Sequence, residues 1–439
     1  MENKGKGLKF KDKTSRYYQF GILVVAAIML SSVVMATLIN TEDGNYDTDH
    51  NNQYVSGLEV DYLITTDGTY SYLFNGTDGK IDQSSTNFSY IFQYALDNIG
   101  ENSTLKLKGV FYATYGVEVD VSKIIIDLGA SSIFVDDTYS PLNRPLIKLI
   151  DGNEQITIKG GFLHGNNDTL ATNTITAIYD DCHTNEVTNG IEYRDVNNKV
   201  LYTTIKDFGG DGLFVKARRG LYIGVEVFQV QGYGFHINIG SDHSFYDCTA
   251  QECGDGWLVA ASWCHMYHCI AQENIGQGMY LTGPHIKVYG GYSEHNGNRG
   301  ILTGSSVVGM LTIKDMYIGG NYFGIHIQSH NTTIEGVHFR DNEYGDIVTS
   351  GLYDDIILKD NNHDDDNHID HYRTRCLENG LGNVSVDNPG TSDLDEWDQH
   401  EFKGLVVVNN SGTGIYMYTV ELPSTNSDSG SENWIKIGG

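Results

Sequence analysis

Residues 234–303 read GFHINIGSDHSFYDCTAQECGDGWLVAASWCHMYHCIAQENIGQGMYLTGPHIKVYGGYSEHNGNRGILT, and one pattern returns through them at a constant distance. A glycine followed by alternating apolar residues stands at Gly234, Gly256, Gly278 and Gly300, and beyond the stretch at Gly212, Gly324 and Gly345. The intervals are 22, 22, 22, 22, 24 and 21 residues. The segments GLFV, GFHI, GWLV, GMYL, GILT, GIHI and GDIV alternate with the period of two of a half-buried strand, the last slipped by one residue. A fixed period of this size means one structural unit per repeat, and each unit buries its apolar side only against its neighbours.

A second register follows from the residues upstream of each glycine. Cys253, Asn274, Asn296, Asn321 and Asn342 form one column. Three residues back stand Ala250, Ala271, Ser293, Ile318 and Phe339; five back, Cys248, Cys269, Gly291, Met316 and Val337; eight back, Phe245, Met266, Val288, Ile313 and Ile334. Columns that stay apolar or small in every repeat point inward. The Asn column then predicts a ladder of stacked amides that bond one another and the turn backbone inside a coil.

On these residues the chain resembles the right-handed parallel β-helix proteins of the pectate-lyase-like superfamily, over about residues 85–360. The segment NFSYIFQYALDNIGENSTLKLKGVFYA (Asn87–Ala113) fits that likeness as a capping helix, a turn and a first strand, with Ile91, Ala95 and Ile99 at helical spacing. A helix over the open end of a coil hides unpaired strand edges. The rungs between Ile124 and Gly165 are looser, with IIIDL and ITIKGGFLHG as their strands. The expected fold is all-β: a right-handed single-stranded parallel β-helix with an N-terminal transmembrane helix and a small C-terminal β-module.

The rest of the chain completes this organisation. Tyr17–Thr41 carries no charge, and Gly21–Ile39 is long and apolar enough to span a bilayer. Six cations and two anions in residues 1–16 sum to +4, which predicts a cytoplasmic N-terminus and a body outside. A cleaved signal peptide, with Val34 and Ala36 as the small residues, is the competing reading, but the apolar run exceeds an ordinary signal core. The expected layout is 1–16 cytoplasmic, 17–40 anchor, 41–84 linker and lead-in strands, 85–360 β-helix, 361–395 acidic linker and 396–439 a C-terminal β-module. GLVVVNNSGTGIYMYTVELP and NWIKIGG supply three strands of that module. Seven Asn-x-Ser/Thr triplets, at Asn75, Asn87, Asn102, Asn167, Asn331, Asn383 and Asn409, agree with an exported glycoprotein.

With 57 acidic against 28 basic residues the net charge is −29, and −33 without residues 1–16. Nucleic acid is therefore not an expected partner. Six cysteines in an oxidising compartment invite disulfides, yet Cys248 and Cys269 fall one rung apart in an inward column and read better as stacked small apolar residues.

In a filled coil, function sits on outward columns about 4.8 Å apart. Just before the repeated Gly stand Asp211, Tyr233, Asp255, Gln277, Arg299, Phe323 and Tyr344; two after it, Phe214, His236, Leu258, Tyr280, Leu302 and His326. Just before the Asn column stand Glu252, Glu273, His295 and Asp341. Stacked carboxylates raise one another's pKa or recruit a cation, and aromatics beside them offer surface to sugar rings. The candidate catalytic set is Asp211, Asp255, Glu252, Glu273, His295 and Arg299, with Tyr233, His236 and Tyr280 as substrate-binding residues. Taken singly, each is better read as an ordinary solvated position.

Other motifs are partial. Asp180–Asp181 beside His183 is similar to the acid pair of polygalacturonase-type β-helix hydrolases, without their Gly-His-Gly and Arg-x-Lys. GYGFHI (Gly232–Ile237) is similar to a motif of β-helix alginate epimerases without its acidic continuation. The likeness to pectate lyases admits Ca2+ held by stacked acids, and no other cofactor is called for. The run NNHDDDNHIDHYR (Asn361–Arg373) reads as a solvated linker more readily than as a metal site.

Two functions fit. One is a membrane-anchored cell-surface protein that binds a polysaccharide or other glycan, or serves structurally as an adhesin, and admits a homo-oligomer. The alternative is a polysaccharide lyase, hydrolase or epimerase working in a lateral groove. The absence of a complete catalytic motif favours the first.

Overall fold

The computed structural model describes residues 60–167, 170, 173–182, 186–187, 190–191, 196–304, 309–349, 356–359 and 361–363, together with strand segments at 370–371, 385–386, 405–409, 415–418 and 434–438. The expected anchor at 17–40, most of the acidic linker, His183 and Cys376 lie outside these residues. Among the described residues no helix is long and apolar enough to cross a membrane.

The chain winds into a parallel β-solenoid in which each rung contributes strands to three faces. Face one stacks Leu221–Ile223, Ser244–Tyr246, His265–Tyr267 and Lys287–Tyr289; face two stacks Glu226–Phe228, Thr249–Gln251, Ile270–Gln272 and Tyr292–Glu294. Face three is an 11-stranded parallel sheet that includes Leu213–Val215, Tyr233–Ile237, Asp255–Val259, Met279–Leu281, Arg299–Thr303 and Phe323–Ile327. The coil forms because strands of three to five residues, apolar at alternate positions, cannot make a core singly and do so by stacking.

Three corners separate the faces, and at each the backbone takes one left-handed residue. Within a rung these are five residues apart: Asp242, Asp247 and Glu252; Trp263, His268 and Glu273; His285, Gly290 and His295. This conformation costs a non-glycine residue steric energy, and the residues that take it here are mostly polar, Asp, Glu and His, with Trp263 the exception.

The expected inward columns are inside. Phe245, Met266, Val288, Ile313, Ile334, Ala250, Ala271 and Ile318 are each 0% exposed. Phe235 stacks on Trp257 at 3.8 Å, and the Trp257 indole N–H donates to Ile270 O at 3.0 Å, which satisfies the one polar atom that this bulky side chain buries. The Asn ladder runs as its chemistry requires: Asn274 Nδ2 donates to Asn296 Oδ1 (2.8 Å), Asn296 Nδ2 to Asn321 Oδ1 (2.9 Å) and Asn321 Nδ2 to Asn342 Oδ1 (3.2 Å). Each oxygen also accepts a backbone N–H from the preceding rung, such as Cys253 N–H to Asn274 Oδ1 at 3.0 Å. The repeated glycine packs on this ladder. A Cβ at Gly278 would sit 2.6 Å from Asn296 Nδ2 and 2.5 Å from Gly300 O, so only glycine fits. The slip at Gly345 is real: Asp346 takes the column position and accepts from Asn342 Nδ2 at 2.8 Å.

At the N-terminal end β1 (Tyr62–Thr66), β2 (Ser71–Asn75) and β3 (Ile81–Ser85) form an antiparallel meander, and β1 also pairs in parallel with β4 (Thr104–Lys108). Between them α1 (Phe88–Asn98) caps the coil. Its N-cap Asn87 accepts from Tyr90 N–H, and it buries Phe88, Ile91, Phe92, Ala95 and Leu96, with Phe88 stacked 4.4 Å from Phe111. Ile99 falls at its C-cap, one residue past the helix. Near the C-terminus the three expected strands, Leu405–Asn409, Ile415–Tyr418 and Trp434–Gly438, pair antiparallel, and Ser385–Val386 adds a parallel strand.

The five described cysteines are free and buried. Cys248, Cys253, Cys264 and Cys269 each donate their thiol to the carbonyl two residues earlier, at 3.3–3.7 Å. Burial pushes the Cys248, Cys253 and Cys264 thiols up to about 12, far from the reactive thiolate.

Candidate functional site

The outward positions of face three make one continuous row. Strand register places Lys148, Tyr179, Phe214, His236, Leu258, Tyr280, Leu302 and His326 on successive rungs. Beside it, at the start of each strand, runs a second row of Asp211, Tyr233, Asp255, Gln277, Arg299 and Phe323, all half-buried. Backbone bonds tie these rungs together: Gly212 N–H to Tyr233 O, Gly256 N–H to Gln277 O and Gly278 N–H to Arg299 O.

At one end Tyr179 and Phe214 stack at 4.7 Å and 2°, and the Lys216 ammonium lies 5.3 Å and 5.6 Å from their ring centres. Lys216 and Lys148 both pair with Asp181, at 3.3 Å and 3.7 Å. The next rungs hold the most connected group. Asp211 Oδ2 lies 2.8 Å from His236 Nδ1, and Asp211 Oδ1 accepts Tyr233 N–H at 2.8 Å. The His236 ring is 4.9 Å from the Tyr233 ring and 4.3 Å from Phe214. An ionised carboxylate accepts only, so this contact puts an imidazole proton on Nδ1; in the neutral ring Nε2 is then the acceptor, the arrangement a general base uses. The Tyr233 phenol is pushed up by burial and then by Asp255 and Asp211, which keeps its proton on. Asp255 Oδ1 accepts Gln277 N–H at 2.5 Å, while Gln277 Oε1 is buried without a partner among the described residues.

At the far end Arg299 Nε donates to His326 Nδ1 at 2.6 Å and Nη1 to Asn298 Oδ1 at 3.1 Å, with the guanidinium 5.8 Å from the Phe323 ring centre. Burial and then the Arg299 charge hold His326 down at about 4, so it is the neutral acceptor that this geometry needs.

Thus the fold brings together Asp211, Tyr233, His236, Asp255, Tyr280 and Arg299 on one face. Glu252, Glu273 and His295 stand elsewhere, as the exposed left-handed residues of the corner between faces two and three. Glu252 accepts from Gln229 Nε2 at 2.6 Å and Glu273 from Gln251 Nε2 at 3.4 Å. His295 lies against Gly320, where a Cβ would be 2.6 Å from its ring. None of the three bonds to the face-three row. Asp180 and Asp181 point apart: Asp181 is outside with the lysines, and Asp180, 2% exposed, accepts both Asn198 Nδ2 contacts at 3.1 Å in the core. Asn361, first of the His/Asp run, is a corner residue, accepting Val337 N–H at 3.0 Å and donating to Ile334 O at 3.1 Å. Among the described residues no group of three or more His, Cys, Asp or Glu is placed to hold a metal ion.

The candidate residues named from the sequence do not include His326, Phe214, Tyr179 or Lys216, which the fold adds to the row. His326 shares the column of His236 and could have been included on that ground. Tyr179 has no such signal, because residues 183–195 interrupt the period between its rung and Gly212.

The stacked parallel faces and the lateral row define a right-handed parallel β-helix protein, the fold that the resemblance implied. Residues 189–343 match the family described as "Right handed beta helix region". The A-module of mannuronan C-5 epimerase AlgE4 from Azotobacter vinelandii is similar at 12% identity and a TM-score of 0.48, over 66% of this chain and 96% of that one. ORF18 of Geobacillus virus E2 is similar at 10% identity and 0.42, over 81% and 93%. Full-length tailspike protein 2 from an Escherichia coli O157:H7 bacteriophage is similar at 10% and 0.42, over 87% and 62%. These are likenesses of shape, and they say nothing of what this chain binds. No curated protein matches it.

Proposed function

We propose that this is a membrane-tethered, exported protein that binds a carbohydrate chain along the outer side of face three, in a surface or adhesin-like role. The observation that carries the binding reading is the continuity of the row: Tyr179, Phe214, His236, Leu258 and Tyr280 follow one another rung by rung, rings on all but the Leu258 rung, beside carboxylate, amide, phenol and guanidinium groups. Such a strip suits a sugar chain, whose apolar C–H faces alternate with hydroxyl rims and whose repeats can meet repeated rungs. The tether rests on the sequence, on the apolar run Gly21–Ile39 behind a basic segment. Binding is tested on a glycan array with the full chain and with Tyr280→Ala combined with His236→Gln. Loss of the captured glycans in the variant is expected; capture unchanged in the variant rejects the face.

A second reading is favoured by one group. Asp211, His236 and Tyr233 set an imidazole, oriented through Nδ1 by a carboxylate, beside a protonated phenol, an arrangement suited to moving a proton on a bound sugar in a lyase, epimerase or hydrolase. If so, His236→Gln removes turnover of a bound glycan, by about 10²-fold or more, and leaves its capture measurable.

A further inference from the structure

Arg299 is unusual for its surroundings. The chain carries 57 acidic residues against 28 basic, yet among the described residues no carboxylate pairs with this half-buried guanidinium. Its neighbours hold it in place without neutralising it: His326 takes Nε, Asn298 takes one Nη1 hydrogen, and Phe323 lies by its plane. The other two described cations of the row, Lys148 and Lys216, each have a carboxylate partner, the one Asp181 side chain that they share. A guanidinium has five N–H donors in a planar fork, and those left over suit the two oxygens of an anion. Partial burial makes each such bond stronger than it would be in open water, and leaving the charge without a counter-ion is unfavourable.

We propose that Arg299 is the specificity-determining residue of the face-three site and selects glycans bearing an anionic group, a carboxylate or a sulfate ester, which it grips through its free N–H fork. This rests on the glycan-binding reading above and names the substrate class within it. Strand register puts Leu302, the outward residue of the Arg299 strand, three rungs from His236, by way of Leu258 and Tyr280. The gripped anion therefore lies about 14 Å along the coil from the Asp211–His236 pair. His326 is a positioning residue: it orients the fork and makes no contact with the sugar.

The test compares oligosaccharides of one length in three forms, neutral glucan, polyuronate and sulfated glucan, bound to the full chain and to Arg299→Gln and Arg299→Lys. The wild-type chain is expected to prefer an anionic form by at least about tenfold, and the preference to weaken as salt rises. Arg299→Gln should remove the preference while leaving neutral binding in place, and Arg299→Lys should recover only part of it. The polyuronate and sulfated arms identify which anion is read. Equal affinity for neutral and anionic forms, or a preference that survives Arg299→Gln, overturns the assignment of Arg299 and leaves the binding face standing. Capture of none of the three forms, with the array also empty, overturns the binding reading and this inference with it.

Discussion

Asp211 on one rung and His236 on the next are joined carboxylate to imidazole, Oδ2 to Nδ1, at 2.8 Å. Because the Tyr233 N–H fixes the other oxygen, the pair is held by the backbone of the coil and does not depend on a ligand for its geometry. The neutral His236 ring is expected to be the Nδ1–H tautomer in the wild-type chain, and to lose that preference in Asp211→Asn. Histidine ¹⁵N shifts read this directly; an Nε2–H tautomer in the wild type would contradict the pairing.

The Asn ladder predicts a stability effect. Asn296→Leu leaves Asn274 Nδ2 and two backbone groups, Asn274 N–H and Ala271 O, without their partner in a dry core. A loss of about 1–3 kcal/mol is expected, seen as a lower urea midpoint. An unchanged midpoint would mean that water or a neighbour satisfies these groups.

Much of this was legible in the sequence, for a physical reason. A filled coil repeats its environment every rung, so an inward column must stay apolar, small or self-pairing, and Phe245, Ala250, Asn274 and their successors did so at one period. Outward columns are under no such constraint, so their period does not separate a site from a solvated corner. Glu252, Glu273 and His295 formed as regular a column as Asp211, Tyr233 and Asp255, but their regularity comes from the left-handed backbone of a corner. The five-residue spacing of Asp247 with Glu252 and of His268 with Glu273 carries that signal. Contacts such as Arg299 with His326 depend on side-chain reach across rungs, which no period encodes.

Asp180 makes stability depend on pH. Burial raises its carboxyl to about 6 from an ordinary 3.8, outweighing the Asn198 and Cys182 hydrogen bonds that lower it. A carboxyl raised by folding favours the folded state fully below its unfolded value, and that contribution is lost as pH climbs from near 4 through about 6. Asp180→Asn keeps an acceptor for Asn198 and removes the buried charge. It is expected to stabilise the chain at pH 7 by roughly 3 kcal/mol and to have little effect at pH 4. A variant less stable than wild type at pH 7 would show that the charge is compensated.

Topology is testable in cells. If residues 17–40 anchor the chain with residues 1–16 inside, protease added to intact cells should remove the β-helix and spare a tag at the N-terminus. A protected β-helix would refute the tether and its orientation.

The central claim is that face three binds a glycan. Titration calorimetry with a captured oligosaccharide should give an affinity about tenfold or more weaker for His236→Gln/Tyr280→Ala than for the wild type, and an unchanged affinity for the corner variant Glu252→Gln/Glu273→Gln. Retained affinity in the face-three variant, with loss in the corner variant, would contradict the account and move the site to the corner.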